Sequence, residues 1–174
     1  MIALLSTNGP TVCEAGGAPT KLIVATLNGA DILERSGPSA PWRTVAHVLD
    51  GKHVSALMKP PGDRGIFASI HGGGVWHSMD DGETWSPRDA GITVNHAYSL
   101  GYNDTPAGMV LYCGTEPVSL FRSVDNGASW TELPAISKVP GHETWRFPPP
   151  PHLDRKSTRL NSSHVALSRM PSSA

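Results

Sequence analysis

Residues 78–85 read Ser-Met-Asp-Asp-Gly-Glu-Thr-Trp, and residues 123–130 repeat most of this pattern as Ser-Val-Asp-Asn-Gly-Ala-Ser-Trp. Each shared residue type has a role in a tight β-turn. The aspartate accepts hydrogen bonds from backbone N–H groups two or three residues further on, and the glycine supplies a positive φ without a Cβ clash. The next hydroxyl bonds back across the turn, and the tryptophan opens the outgoing strand with a large apolar surface. The residues with these structural roles are Ser78, Asp80, Gly82, Thr84, Trp85, Ser123, Asp125, Gly127, Ser129 and Trp130.

Tryptophan spacing extends the repeat to a third unit. Trp42, Trp85 and Trp130 fall 43 and 45 residues apart, a period typical of β-repeat architectures. The corner of the first unit, residues 35–42, keeps the tryptophan but lacks the aspartate, so this unit is degenerate. No helix is predicted, and the first 20 residues are interpreted as the remains of a preceding unit. The repeat units are 21–58, 65–102 and 109–147, and their matching second strands are predicted at 21–26, 65–70 and 109–114.

The octets resemble the Asp-box, also called the BNR repeat, of β-propellers such as sialidases, xyloglucanases, sortilin-type receptors and photosystem assembly factors. Residues 114–117, 120–123 and 145–152 are also similar to bacterial Asp-box proteins commonly named glycosyl hydrolase or sialidase-like. The resemblance implies an all-β propeller of four-stranded antiparallel blades, with residues 1–153 forming a fragment of roughly three to four blades. Such a fragment exposes strand edges, so we expect poor solubility or swapped dimers.

Composition and charge exclude several classes of function. The chain has 174 residues, a formal net charge of -1, 18 Gly and 16 Pro, as expected of a turn-rich globular protein without a basic surface for nucleic acid. Cys13 and Cys113 are far apart and indicate neither a zinc site nor a disulfide framework, and no cofactor is predicted. The apolar run at residues 1–5 is too short for a signal peptide or a membrane span. We expect a cytoplasmic protein with no membrane partner.

Residues 154–174 differ in character from the rest of the chain. They resemble the translated sequence of a short-read sequencing adapter, in which residues 165–167 correspond to the variable index. We therefore expect this segment to be foreign to the protein and exclude it from the fold prediction. The alternative is a disordered, basic, serine-rich tail that binds a partner.

Four polar residues are predicted to lie on the same face of the propeller, the one opposite the octet corners. His71 and Glu116 fall in loops that join second to third strands, and His53 and His96 open inner strands on the same face. One interpretation is a metal or general acid–base site at the mouth of the central channel. The other is that these histidines cap loop carbonyls, or recur because the blades recur. No His-Glu-x-x-His pair supports the first interpretation, and no metal is predicted.

Two functions of different classes follow from this face. As a binding scaffold, the chain would hold a protein or glycan ligand without catalysis. As a sialidase-like glycoside hydrolase, it would need two carboxylates about 5–9.5 Å apart, or a tyrosine with a carboxylate and three arginines. The Phe/Tyr-Arg-Ile-Pro signature of sialidases is absent, and Tyr98, Tyr102 and Arg64 form no recognisable set. The scaffold is therefore preferred, and the catalytic residues of the alternative stay unknown.

Overall fold

The computed structural model describes residues 2–9 and 17–144, so Cys13 and the segment 154–174 lie outside it. Apart from two single-turn 3₁₀ helices, Ile136–Lys138 and His142–Thr144, the regular structure in this part of the chain is β-strand, and the all-β prediction is confirmed. The strands are β1 (Ile2–Leu5), β2 (Lys21–Thr26), β3 (Gly29–Glu34), β4 (Arg43–Val48), β5 (His53–Met58), β6 (Ile66–His71), β7 (Gly74–Ser78), β8 (Ser86–Pro87), β9 (His96–Thr105), β10 (Gly108–Glu116), β11 (Ser119–Ser123) and β12 (Thr131–Glu132).

The strands form three units of four. In spatial order these are β1-β2-β3-β4, β5-β6-β7-β8 and β9-β10-β11-β12, which we call the first, second and third sheets. Neighbouring strands are antiparallel throughout the second and third sheets. This is the four-stranded antiparallel arrangement predicted for propeller blades. One residue pair, His71 with His96, joins the second sheet to the third.

The first sheet departs from this arrangement at β1. Residue Ile2 lies opposite Lys21, and β1 runs parallel to β2. The interpretation of this segment as part of a preceding unit is therefore wrong, because β1 completes the first sheet. Leu4 is 2% exposed in the core, and the segment that follows bonds to β5, where Ser6 Oγ accepts a hydrogen bond from Leu57 N at 2.9 Å.

The second sheet is buried on both faces because the other two sheets pack against it. We call the side of a sheet that faces the following sheet its front face, and the other side its rear face. Ile23 of the first sheet packs in one cluster with Ile66 of the second, and Phe67 of the second packs in another with Leu111 of the third. All four side chains are 0% exposed, and full burial of a side chain of this size contributes about 1.5–3 kcal/mol.

Strand pairing corrects the predicted match between the second and third units. Ile66 lies opposite Ser78, and Leu111 lies opposite Ser123, at the start of each octet. The equivalent of residues 65–70 is therefore 110–115, and the predicted 109–114 is wrong by one residue. A one-residue slip would exchange the two faces of the strand. The observed register places Leu111 on the rear face of the third sheet, just as Ile66 lies on the rear face of the second sheet.

The two 3₁₀ helices follow β12 and are each three residues long. A single turn is too short to show the 3.6-residue apolar period by which a helix is predicted from sequence. Within residues 2–9 and 17–144, neither helix has the length and apolar character that a membrane span requires.

Candidate functional site

The first octet forms a corner between β7 and β8 that is bonded within itself. Asp80 Oδ1 accepts hydrogen bonds from Ser78 Oγ and Thr84 N, both at 2.8 Å, and Oδ2 accepts one from Thr84 Oγ1 at 2.5 Å. The predicted reach of two or three residues is wrong, because the bonded amide lies four residues on. The nearer amide, Gly82 N, donates instead to Ser78 Oγ at 2.8 Å.

The second octet repeats these bonds between β11 and β12. Asp125 accepts from Ser123 Oγ at 2.7 Å, Ser129 N at 2.9 Å and Ser129 Oγ at 2.5 Å. Hydrogen bonds from the Thr84 and Ser129 hydroxyls, then from backbone amides, lower the pKa of Asp80 and Asp125 to about 2. These carboxylates are occupied by their own turns, which leaves them a structural role.

Each octet glycine also approaches the preceding sheet closely. Gly82 and Gly127 have φ values of +92° and +78°, a backbone region that residues other than glycine rarely adopt. A Cβ atom on Gly82 would lie 2.6 Å from Ile23 Cδ1, and one on Gly127 would lie 2.9 Å from Phe67 Cε1. Each octet corner therefore packs directly against the preceding sheet. Ile23 and Phe67 occupy equivalent positions, since each contacts the octet glycine of the following sheet.

The two octet tryptophans bond differently. Trp85 Nε1 donates to Gly82 O within its own corner at 2.8 Å. Trp130 Nε1 donates at 2.8 Å to Arg88 O, which belongs to the loop after β8 of the second sheet. Trp130 is 4% exposed, and it adds a partly buried hydrogen bond between the second and third sheets.

The degenerate corner of the first sheet is organised by an arginine. Arg35 Nε donates to Pro19 O at 2.8 Å, Arg35 Nη1 donates to Pro38 O at 2.7 Å, and the guanidinium lies 4.5 Å above the Trp42 ring. In this corner a guanidinium donates hydrogen bonds to turn carbonyls, whereas in the octets an aspartate accepts hydrogen bonds from turn amides. An open groove of about 430 Å³ runs along this corner and is lined in part by Arg43 and Val45.

At the opposite end of the strands, pairing brings the four predicted polar residues into one row. His53 lies opposite His71, and His71 lies opposite His96. His96 in turn lies opposite Glu116. The His71 ring centroid is 5.3 Å from that of His53 and 4.4 Å from that of His96. All four residues are half-buried, and the row crosses the junction of the second and third sheets. We call His53, His71, His96 and Glu116 the polar row.

Tyr98 adjoins the polar row, although the sequence analysis did not place it there. Its ring meets the His71 ring edge-on, with centroids 6.0 Å apart. The register between β9 and β10 shifts by one residue at Gly114/Thr115, which leaves Tyr98 as the extra residue of a β-bulge. Bulges redirect side chains and break the alternation on which sequence patterns depend. Burial, and secondarily the Glu116 carboxylate, raise the pKa of Tyr98, so its hydroxyl stays a hydrogen-bond donor at neutral pH.

Two further features leave room and bonding capacity beside the polar row. His96 Nδ1 is a buried atom with no hydrogen-bond partner in the described part of the chain, and such an atom costs about 1–3 kcal/mol until a ligand or water satisfies it. After His71, the chain continues as three glycines, and a Cβ on Gly72 would meet nothing within 4 Å. Space is therefore open at Gly72, in the turn between β6 and β7.

The polar row and Tyr98 bring several kinds of polar side chain together at this end of the sheets. Three imidazoles and a phenol offer flat rings, donors and acceptors. Among residues 2–9 and 17–144, no group of three or more His, Cys, Asp or Glu is placed to hold a metal ion. The polar row contains one carboxylate, Glu116, whereas glycoside hydrolysis by the common route needs two.

Comparisons with known proteins add little to this geometry. No family model and no curated protein sequence matches the chain. Among solved structures, it is similar to YCF48 bound to D1 peptide, at 15% sequence identity and a TM-score of 0.44. That match covers 62% of this chain and 35% of the YCF48 chain. The function proposed below therefore rests on the residues of this chain.

Proposed function

We propose that this chain is a binding scaffold that holds a protein or glycan ligand at the polar row and Tyr98. The observation that carries the proposal is the strand register, which sets His53, His71, His96 and Glu116 side by side across four adjacent strands. The octet corners lie at the other end of the strands, and each of their aspartates already accepts three hydrogen bonds from its own turn. Within the polar row, His96 Nδ1 is a buried atom that lacks a hydrogen-bond partner in the described part of the chain.

The kind of ligand follows from the side chains. Rings spaced 4.4–6.0 Å apart form a surface against which an aromatic side chain or the apolar face of a sugar packs. Imidazole nitrogens, the Tyr98 hydroxyl and the Glu116 carboxylate give directional hydrogen bonds, the combination found in small-ligand sites. A single carboxylate favours holding a ligand over cleaving it.

We also propose that the chain is a member of the Asp-box repeat proteins and acts in the cytoplasm. Two octets with the same internal hydrogen bonds, at equivalent corners of successive sheets, support the membership. Cys113 is a buried free thiol, and burial raises its pKa to about 12. An unreactive free thiol is compatible with a reducing compartment.

Ligand selection tests the proposed binding function. The full chain, labelled with biotin, is screened against a random-peptide display library and a glycan array, and the binders obtained are measured by biolayer interferometry. We expect affinity to fall at least about tenfold for His71→Ala and for Glu116→Gln, since each removes a hydrogen bond to ligand worth about 1.4 kcal/mol or more. The matched control is His47→Ala, an exposed histidine on β4 of the first sheet, which should bind as the wild type does.

Three results would overturn the proposal. The first is that neither library yields a binder at about 100 μM, and the second is that every binder is as sensitive to His47→Ala as to His71→Ala. The third is turnover of a fluorogenic glycoside that is lost in Glu116→Gln, which would make the chain a hydrolase. Circular dichroism spectra of all variants establish that they are folded.

A further inference from the structure

Two carboxylates at the polar-row end of the sheets have no partner in the described part of the chain. Glu116 is the last residue of β10. Asp89 lies beside the turn that follows His71, where a Cβ on Gly74 would meet Asp89 Oδ2. Neither carboxylate accepts a hydrogen bond or forms an ion pair within residues 2–9 and 17–144. Both residues are half-buried, and a carboxylate partly removed from water interacts more strongly with a cation than an exposed one does.

The lysine that precedes His53 does not neutralise these carboxylates. The ammonium of Lys52 lies 4.6 Å from the centroid of the Trp76 ring, in a cation–π contact. Lys52 makes no ion pair within the described residues. The local charge at Glu116 and Asp89 therefore favours a cationic ligand over an anionic one.

The buried nitrogen of the polar row also fits a hydrogen-bond donor. His96 Nδ1 has no partner in the described part of the chain, and it accepts a hydrogen bond when Nε2 carries the ring proton. The His71 ring lies between the rings of His96 and Tyr98, at centroid distances of 4.4 Å and 6.0 Å. A guanidinium group fits all of these features, because it is planar, stacks on rings and carries five N–H donors with no acceptor. An ammonium is a point charge without a flat face.

We infer that the ligand held at the polar row, under the binding function proposed above, is a protein segment that inserts an arginine side chain there. The guanidinium donates hydrogen bonds to the Glu116 carboxylate and to His96 Nδ1, and it stacks on the neighbouring rings. Asp89 adds to the negative potential around it. A neutral glycan supplies no charge to match these carboxylates, so the protein ligand is preferred to the glycan.

Two blocked pentapeptides test this inference: Gly-Gly-Arg-Gly-Gly and its counterpart with citrulline in place of arginine. Citrulline keeps the planar end of the side chain but carries no charge. Because a single side chain binds weakly, each peptide is titrated to about 20 mM into the full chain. Carbon-13 labels in the histidine rings report the dissociation constants. We expect the arginine peptide to shift the signals of His71 and His96, and to bind at least about tenfold more tightly than the citrulline peptide.

Glu116→Gln removes the charge that pairs with the guanidinium, so it should bring the two peptides to the same affinity. The matched control is Glu34→Gln, which removes one negative charge from an exposed residue at the octet-corner end of β3 and should leave the preference for arginine unchanged. Equal affinities of the two peptides for the wild type overturn the inference, as does a preference for arginine that survives Glu116→Gln. The binding function itself fails separately, when the library selections yield no binder that requires His71.

Discussion

The close approach of the second octet to Phe67 predicts an unusually costly glycine substitution. In Gly127→Ala, the new methyl group would lie 2.9 Å from Phe67 Cε1. Phe67 is 0% exposed and stacks on His77 with ring centroids 4.4 Å apart, so it has little freedom to move. We expect the free energy of unfolding to fall by about 1–2 kcal/mol because of the left-handed backbone, and by a further 1–3 kcal/mol because of overpacking against the ring.

Gly62→Ala is the matched control because it separates these two costs. Gly62 has a φ of +76°, close to the +78° of Gly127, but a Cβ there would meet nothing within 4 Å. It should lose only the backbone part of the free energy of unfolding. Urea denaturation followed by tryptophan fluorescence measures both losses, and the slope with denaturant should stay the same for a difference that is purely one of stability.

A double-mutant cycle with Phe67→Leu identifies the clashing group. Leucine lacks the ring atom that the Gly127→Ala methyl meets, so the two changes together should cost about 1 kcal/mol less than the sum of the separate losses. Equal losses for Gly127→Ala and Gly62→Ala, or additive effects in the cycle, would refute the conclusion that the corner is fastened to the preceding sheet at this ring.

Two further predictions concern the dependence of stability on pH. The pKa values of Asp80 and Asp125 are lowered to about 2, so their contribution is present above the unfolded value near 3.9 and is lost as the pH falls through about 2. Because solvent screens these exposed groups, we expect each to contribute about 1 kcal/mol to the free energy of unfolding. The double variant Asp80→Asn/Asp125→Asn should therefore lose less stability than the wild type between pH 4 and 2. An unchanged dependence of stability on pH contradicts this. Burial lowers the pKa of His77. Its contribution to stability is therefore present above pH 6.5, about the pKa of histidine in the unfolded chain, and is lost as the pH falls below that value. His77→Phe should therefore reduce the loss of stability between pH 7 and 5 in urea titrations, and a steeper loss would show the opposite sign.

The corner geometry could be predicted from the sequence because it is local. An aspartate, a glycine and a hydroxyl within eight residues determine most of the turn, and the tryptophan spacing sets the repeat. The contact of Gly127 with Phe67 could not be predicted in the same way, since it joins residues from successive sheets. Its only trace in the sequence is that glycine stands at both corners.

The register of β10 shows a different limit. Val110, Tyr112 and Gly114 alternate with Met109, Leu111 and Cys113, and both sets contain apolar residues. A strand that is apolar on both faces carries no signal for which set faces the preceding sheet. Pairing with the second octet decides it, and the predicted match was displaced by one residue for this reason.

The polar row was partly accessible to sequence reasoning. The spacing of His53 and His96, and the predicted loop positions of His71 and Glu116, led to the prediction that the four residues lie at one end of the strands. The loop positions are wrong, because His71 and Glu116 are the last residues of β6 and β10. The His71–His96 pair that joins the two sheets depends on how the sheets meet, which no local pattern encodes. Tyr98 was missed because a β-bulge interrupts the alternation of β9.

Ring resonances of the histidines test the proposed binding site most directly. The chain contains eight histidines, and selective carbon-13 labelling resolves their ring signals in a two-dimensional NMR spectrum. On titration with a peptide or glycan obtained by the selection described above, His53, His71 and His96 should shift together with one dissociation constant, while His47 and His77 stay in place. Shifts at His47 or His77 with the three histidines of the polar row unmoved would contradict the assignment of the ligand to this end of the sheets.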